Sequence, residues 1–207
     1  MELTNSFEVN RSIDDTWVVL TDLERIAPCM PGAQLQEVDG DEYRGIVKIK
    51  VGPITAQYKG AATFAEKNDA EHRAILNAKG RDTRGAGNAE AVITASLTAL
   101  SDSTTQVDVD TDLKVTGKVA QFGRGVMADV SAKLMGQFAE NLEAMLEADV
   151  AATEPESDPE PGPRKIEMPE PEAVDLLDAA GAPVLKRLAP VIAVVLAILI
   201  LRRLLRK

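Results

Sequence analysis

The sequence predicts an α+β domain: a curved antiparallel sheet wrapped on one long C-terminal helix. From Glu42 to Val115 apolar residues recur mainly at every second position, as in strands with one buried and one wet face. From about 118 to 148 the spacing becomes three or four, through Phe122, Val126, Val130, Leu134, Phe138, Leu142 and Met145. Length supports the same reading, since 207 residues make one ordinary domain plus appendages. Aromatics are 3% of the chain and hydrophobics 45%, so Ala, Val, Leu and Ile must build the core.

LTNSFEV (3–9) reads as a short strand. SIDDTWVVL follows as a helix, with Ser12 as N-cap and Asp15 in a weak form of the capping box. DLERIAP is a second short helix stopped at Pro28, and CMPGAQ (29–34) is rich in turn residues. EYRGIVKIKV (42–51) places Tyr43, Gly45, Val47, Ile49 and Val51 on one face, with Ile46 among the charged residues of the other. Gly52 and Pro53 turn the chain into ITAQYKGAATF (54–64), where Ile54, Ala56, Tyr58, Gly60, Ala62 and Phe64 share a face. HRAILNAKG, AEAVITASLTA and TTQVDVDTDLKV continue the pattern; the alanines of the second would also suit a helix. The inner face is thus unusually small: Gly45, Ala56, Gly60, Ala62, Ala74, Ala78, Ala89, Ala91 and Ala95. A long helix could approach such a face closely. A strongly curved sheet would instead leave an apolar space, to be taken by Phe122, Phe138 and the methionines or by a ligand. The residues alone leave both open.

Residues 1–148 form the globular part. Residues 149–173 are rich in Pro and Glu and read as an acidic, extended, flexible linker. Residues 174–207 form a membrane-associating tail. Its uninterrupted apolar run, Leu188 to Leu201, would make a helix of roughly 21 Å against a hydrocarbon core of about 30 Å. Lys186 and Arg187 precede it, and Arg202, Arg203, Arg206 and Lys207 follow it. If it spans, these bases favour a cytoplasmic C-terminus and an outward domain. Yet the N-terminus has no basic segment followed by an apolar run, so no secretory signal is expected. A helix lying in one leaflet satisfies both facts, with Leu188, Val191, Ile192, Val195 and Leu199 in lipid and the bases on anionic head groups. The alternative is a packed terminal helix of the domain, which the all-round apolarity fits poorly. The expected location is the cytoplasmic face of a bacterial membrane, peripheral or tail-anchored.

Catalytic equipment is sparse. Cys29 is the only cysteine and His72 the only histidine, too few for a zinc site of the usual kind. A single cysteine also forbids an internal disulfide and fits a reducing compartment. The net charge of −10 and the lack of a basic, aromatic-interleaved patch argue against nucleic acid. Asp108, Asp110 and Asp112 share one strand face, either as a solvated surface or as a site for a divalent cation or partner. GRDTRGAGN (80–88) is a basic loop, either a plain hairpin turn or a contact at a cavity mouth. Neither a catalytic residue nor a metal ligand is assigned, and an enzyme is not expected.

PGAQ (31–34), VGPITAQYKGAATF (51–64), RGAGNAEAVITASL (84–97) and VTGKVAQFGRGVMADVSAKLMGQFAENL (115–142) resemble, in order and register, the CoxG family of carbon monoxide dehydrogenase subunits, which are START-like, SRPBCC proteins. One departure is Ala33, where a cysteine often follows the turn; no role passes to it or to Cys29. The resemblance implies the helix-grip fold with an internal apolar cavity, and service to carbon monoxide dehydrogenase or a related molybdenum hydroxylase. Tyr43 and Tyr58, inward on adjacent strands, could donate hydrogen bonds to carbonyls of an otherwise apolar ligand. With Trp17, Phe64, Phe122, Val126, Met127 and Val130 they form the expected ligand-binding set. A dehydrogenase needs an electron acceptor, and the natural membrane acceptor is an isoprenoid quinone, menaquinone or ubiquinone. The expected function is therefore a non-catalytic, membrane-tethered quinone carrier without a covalent cofactor. The alternative is a recruitment or maturation adaptor for the dehydrogenase, with its core filled by side chains.

Overall fold

The computed structural model describes residues 1–151 together with 164–165 and 174–175. Strand β1 (Glu2–Val9) leads into helices α1 (Ile13–Leu20) and α2 (Leu23–Ile26) and a 3-10 turn at Ala27–Cys29. Six strands follow: β2 (Ala33–Asp39), β3 (Glu42–Val51), β4 (Ile54–Asn68), β5 (Arg73–Asp82), β6 (Asn88–Ser101) and β7 (Thr104–Val115). A 3-10 turn at Val119–Phe122 precedes α3 (Gly123–Ala151), 29 residues long. The seven strands form one antiparallel, curved sheet in the order β1-β7-β6-β5-β4-β3-β2. The helix-grip expectation therefore stands. Among the described residues no helix is long and apolar enough to cross a membrane.

Local chemistry explains the helix ends. The Ser12 side chain accepts from the Asp15 amide, capping α1, and its hydroxyl donates to Asp15 Oδ2 at 2.7 Å. The Asp22 side chain accepts from the amides of Glu24 and Arg25, capping α2. Pro28 does not stop that segment but sits inside the following 3-10 turn, where it needs no amide hydrogen. The last helix begins five residues later than its periodicity predicts, because Gly123, at φ 73°, breaks the 3-10 turn away from it.

Two strands depart from the sequence expectation. The turn-rich stretch 29–34 hides the start of β2. A bulge between Leu35 and Glu37 turns both Leu35 and Val38 inward, and this three-residue step masks the alternation. In β3, Ile46, grouped with the wet face, is buried. The extended 89–100 segment is strand β6, resolving the helix–strand ambiguity there.

Glycine sets the curvature. Gly45, Gly60 and Gly80 lie side by side across β3, β4 and β5. A Cβ on Gly60 would sit 1.9 Å from the carbonyl oxygen of Lys79, and one on Gly45 2.3 Å from that of Gln34. Neighbouring backbones close over these positions, which only glycine permits.

Two short strands lie beyond α3. β8 (Arg164–Lys165) pairs antiparallel with Val38 and Glu37, and β9 (Val174–Asp175) pairs parallel with Ile49 and Lys50. They come from the stretches expected as linker and tail. Residues 149–151 of the expected linker end α3; the rest of both stretches lies outside the described residues, including all the expected membrane-binding positions from Lys186 to Lys207.

Candidate functional site: the concave face of the sheet

The inner face is built in rows. Gly45, Gly60, Gly80 and Ala89 form one; Tyr43, Ala62, Ala78, Ala91 and Leu113 form the next. Val47, Tyr58 and Asp82 form a third. Apolar packing between this face and α3 gathers in three clusters. At the end holding the β3–β4 hairpin, Val51 and Val130 pack with Phe122, Val126 and Leu134. Beside them Ala56, Val119 and Met127 gather Tyr58, Leu113, Val115 and Phe122. At the opposite end lies the largest cluster, where Trp17, Val107, Phe138, Leu142 and Leu146 pack with Phe7, Phe64 and Ile93.

Between the clusters the face is poorly covered. Ala62, Ala78 and Ala91 belong to none of them and are only half-buried. Val47, also inward, keeps 39% of its surface, whereas Val51, four residues on, keeps 1%. Small side chains on a bent sheet thus stand back from the helix at mid-face. A pocket of about 360 Å³ opens beside the end of α1, lined by Thr21, Asp41, Tyr43, Phe64, Ala65, Glu66 and Lys67.

The expected ligand-binding residues fall into groups. Tyr58, Phe122, Val126, Met127 and Val130 meet at the hairpin end. Tyr43 and Phe64 share the 360 Å³ pocket. Trp17 is set apart: it is buried in the large cluster, its indole N–H donates to Asp69 Oδ1 at 2.7 Å, and His72 meets it edge-on. Its bonding fits a pillar of the closed end better than a ligand contact. Met127 and Val130 are buried under neighbours already present.

Electrostatics add one residue that periodicity passed over. Asp82 is buried beneath the β5–β6 loop, directly opposite Tyr58. Amides of Ala86 and Arg84 donate to it at 3.1 and 2.8 Å, which holds its carboxyl below the usual range. Burial, aided by this nearby carboxylate, pushes the Tyr58 phenol up. Tyr58 therefore stays protonated at neutral pH and keeps a proton to donate. The signal in the sequence was the Asp–Thr–Arg–Gly run, where an aspartate receives amides two and four residues on.

The remaining chemistry-bearing residues are engaged structurally. Asp108 accepts from Gln106 Nε2 at 2.8 Å, Asp110 from the Thr4 hydroxyl at 2.8 Å, and Asp112 lies 3.3 Å from the N-terminal amine. Each of the three thus has its own partner, and among the described residues no group of three or more His, Cys, Asp or Glu is placed to hold a metal ion. His72 Nε2 lies 3.0 Å from Asp14 Oδ1 at the surface. Burial pushes the Cys29 thiol up, beside Met145 Sδ at 3.7 Å.

The family model for CoxG, a carbon monoxide dehydrogenase subunit, matches residues 6–147. The chain belongs to the CoxG family. No curated protein sequence matches it. Solved structures share its fold at low identity. A conserved protein from Geobacillus kaustophilus is 21% identical with a TM-score of 0.65, covering 72% of this chain and 97% of its own. A START superfamily protein from Mycobacterium smegmatis is 16% identical with a TM-score of 0.52, covering 71% and 97%. The ZhuI aromatase/cyclase from Streptomyces sp. R1128 is 12% identical with a TM-score of 0.51, covering 72% and 95%. These likenesses establish a START-like fold for this CoxG family member and leave its chemistry to its own residues.

Proposed function

We propose that this CoxG family member is a non-catalytic carrier that takes up an apolar lipid, a respiratory quinone, between the concave sheet and α3. It would present the quinone to a carbon monoxide dehydrogenase or related molybdenum hydroxylase, while residues 174–207 tether it to the membrane. The observation that carries this reading is the uncovered middle of the inner face, where Val47, Ala62, Ala78 and Ala91 stand half-exposed between well-packed clusters. An isoprenoid chain needs apolar contact without hydrogen bonds, and small aliphatic walls supply it. A quinone ring needs a donor at a carbonyl, and Tyr58, kept neutral, supplies one. Lifting such a lipid from a bilayer exposes methylenes at about 0.8 kcal/mol each, a cost that a dry groove removes. A tether keeps the carrier concentrated beside its source.

The adaptor reading draws on one feature: Phe122, Val126 and Val130 already fill the hairpin end. The two readings part on occupancy, since an adaptor needs no lipid. For the tether, the test is deletion of residues 174–207 in cells that respire on the dehydrogenase's substrate. The carrier reading expects transfer from dehydrogenase to the respiratory chain to fall at least tenfold with the enzyme's activity toward a soluble dye unchanged. Full transfer without the tail would overturn it.

A further inference from the structure

Charge on this acidic chain is segregated by position in the fold. The β3–β4 hairpin, the β5–β6 loop and the connection from β7 to α3 meet at one end of the sheet. There Lys59, Lys79, Arg81, Arg84, Lys114 and Lys118 are all exposed, outnumbering the exposed acids Glu2, Glu90 and Asp112 of the same strand ends. Lys59 stands directly opposite Arg81, and Lys79 and Lys114 flank Glu90 in a single row across three strands. Like charges placed directly across a ladder are unfavourable. Of the six, Arg84 is attracted by Asp82, which lies buried beneath the loop with one oxygen taken by loop amides. Among the described residues none of the six cations has an ion-pair partner. The opposite end is acidic, carrying Asp14, Asp15, Asp22, Asp39, Asp41 and Glu147.

The second observation is where the chain departs. β9 pairs with Ile49 and Lys50, the last residues of β3 before its hairpin. The described chain therefore leaves the sheet at the cationic end. The full chain carries a formal charge of −10, and its globular part is itself acidic, so a freely tumbling domain would be repelled by an anionic bilayer. One cationic end, set at the point where the tail begins, reverses that locally within a Debye length of about 10 Å.

We infer that this end of the sheet is the face the domain lays on an anionic lipid surface. The inference rests on the reading of residues 174–207 as membrane-binding and deepens it by giving the domain an orientation. The hairpin-end clusters holding Tyr58, Phe122 and Val126 then face the bilayer, so an apolar ligand moves between lipid and sheet without crossing water. Each cation near such a surface multiplies binding by about fivefold.

The experiment uses the full chain with phosphatidylcholine vesicles, with and without phosphatidylglycerol. An environment-sensitive fluorophore is placed on Ala120→Cys, at the cationic end, or on Ala70→Cys, at the far end; both positions are exposed. The Ala120 probe should shift to the blue on anionic vesicles only, and the Ala70 probe should not move. The triple variant Lys59→Glu, Arg81→Glu, Arg84→Glu should abolish that shift and weaken binding to anionic vesicles at least tenfold. Its melting temperature and its binding to neutral vesicles should be unchanged. A vesicle-bound chain whose Ala120 probe stays in water overturns the docking face and leaves the tether standing. No binding to either vesicle overturns both. A probe shift caused by the dehydrogenase without lipid, with none on vesicles, assigns the face to an acidic protein and overturns the lipid reading.

Discussion

Gly60 carries the sheet's bend on a single missing atom. Its Cβ would stand 1.9 Å from the Lys79 oxygen, so Gly60→Ala must push β5 away or flatten β4. The expected cost is about 1–3 kcal/mol, read as a lower urea midpoint. An unchanged midpoint would mean that the curvature does not depend on this residue. Asp82 makes a second residue-scale prediction. Its carboxyl is held low by loop amides, so the stabilisation it gives is present above the ordinary carboxylate range and fades as pH falls through its folded value. Asp82→Asn should therefore lower the melting temperature at pH 7, with the difference from the native chain closing below about pH 4. A gap that persists undiminished in acid would rule out the ionised carboxylate as its source. Tyr58 titrates the other way: its raised phenol makes stability fall as pH climbs past about 10, where the unfolded chain ionises first.

Among the elements, β4 and β6 decide whether the grip is empty. If the space over Ala62 and Ala91 is open, Ala62→Leu and Ala91→Leu should each alter stability by less than about 1 kcal/mol, because the added atoms enter a void. If α3 fills it, overpacking should cost about 1–3 kcal/mol. Thermal unfolding of the two variants separates these cases. The elements themselves were largely legible. Period two marked β3 through β7, and period three to four marked α3, because each buries one face and must repeat its apolar residues to do so. β2 escaped because its bulge breaks that repeat, and Gly123 shortened α3 by a backbone angle that hydropathy does not encode. For the site, facing was readable but station along the strand was not. Tyr43 and Tyr58 both point inward as expected, yet lie four rungs apart, about 13 Å, and so serve different parts of the groove. Trp17 was placed with the ligand set on facing and position. Its bond to Asp69, fifty-two residues away, ties it to the closed end, and no local pattern announces such a pairing.

For the whole molecule, the charge ends, the hairpin-end clusters and the departure of β9 share one direction. The hairpin end carries the exposed cations, the helix start, and the point where β9 hands the chain onward. That arrangement was hidden in a net charge of −10, since composition averages over the fold that separates its signs. Whether the molecule is a carrier turns on occupancy of the groove. Mass spectrometry of an organic extract of residues 1–151, purified without detergent from a quinone-making host, reads that occupancy. A carrier should yield an isoprenoid quinone near one per domain, lost in Val126→Trp and reduced about tenfold in affinity by Tyr58→Phe, which removes one hydrogen bond. A folded domain that carries no lipid, and takes none up from quinone-containing vesicles, would contradict it.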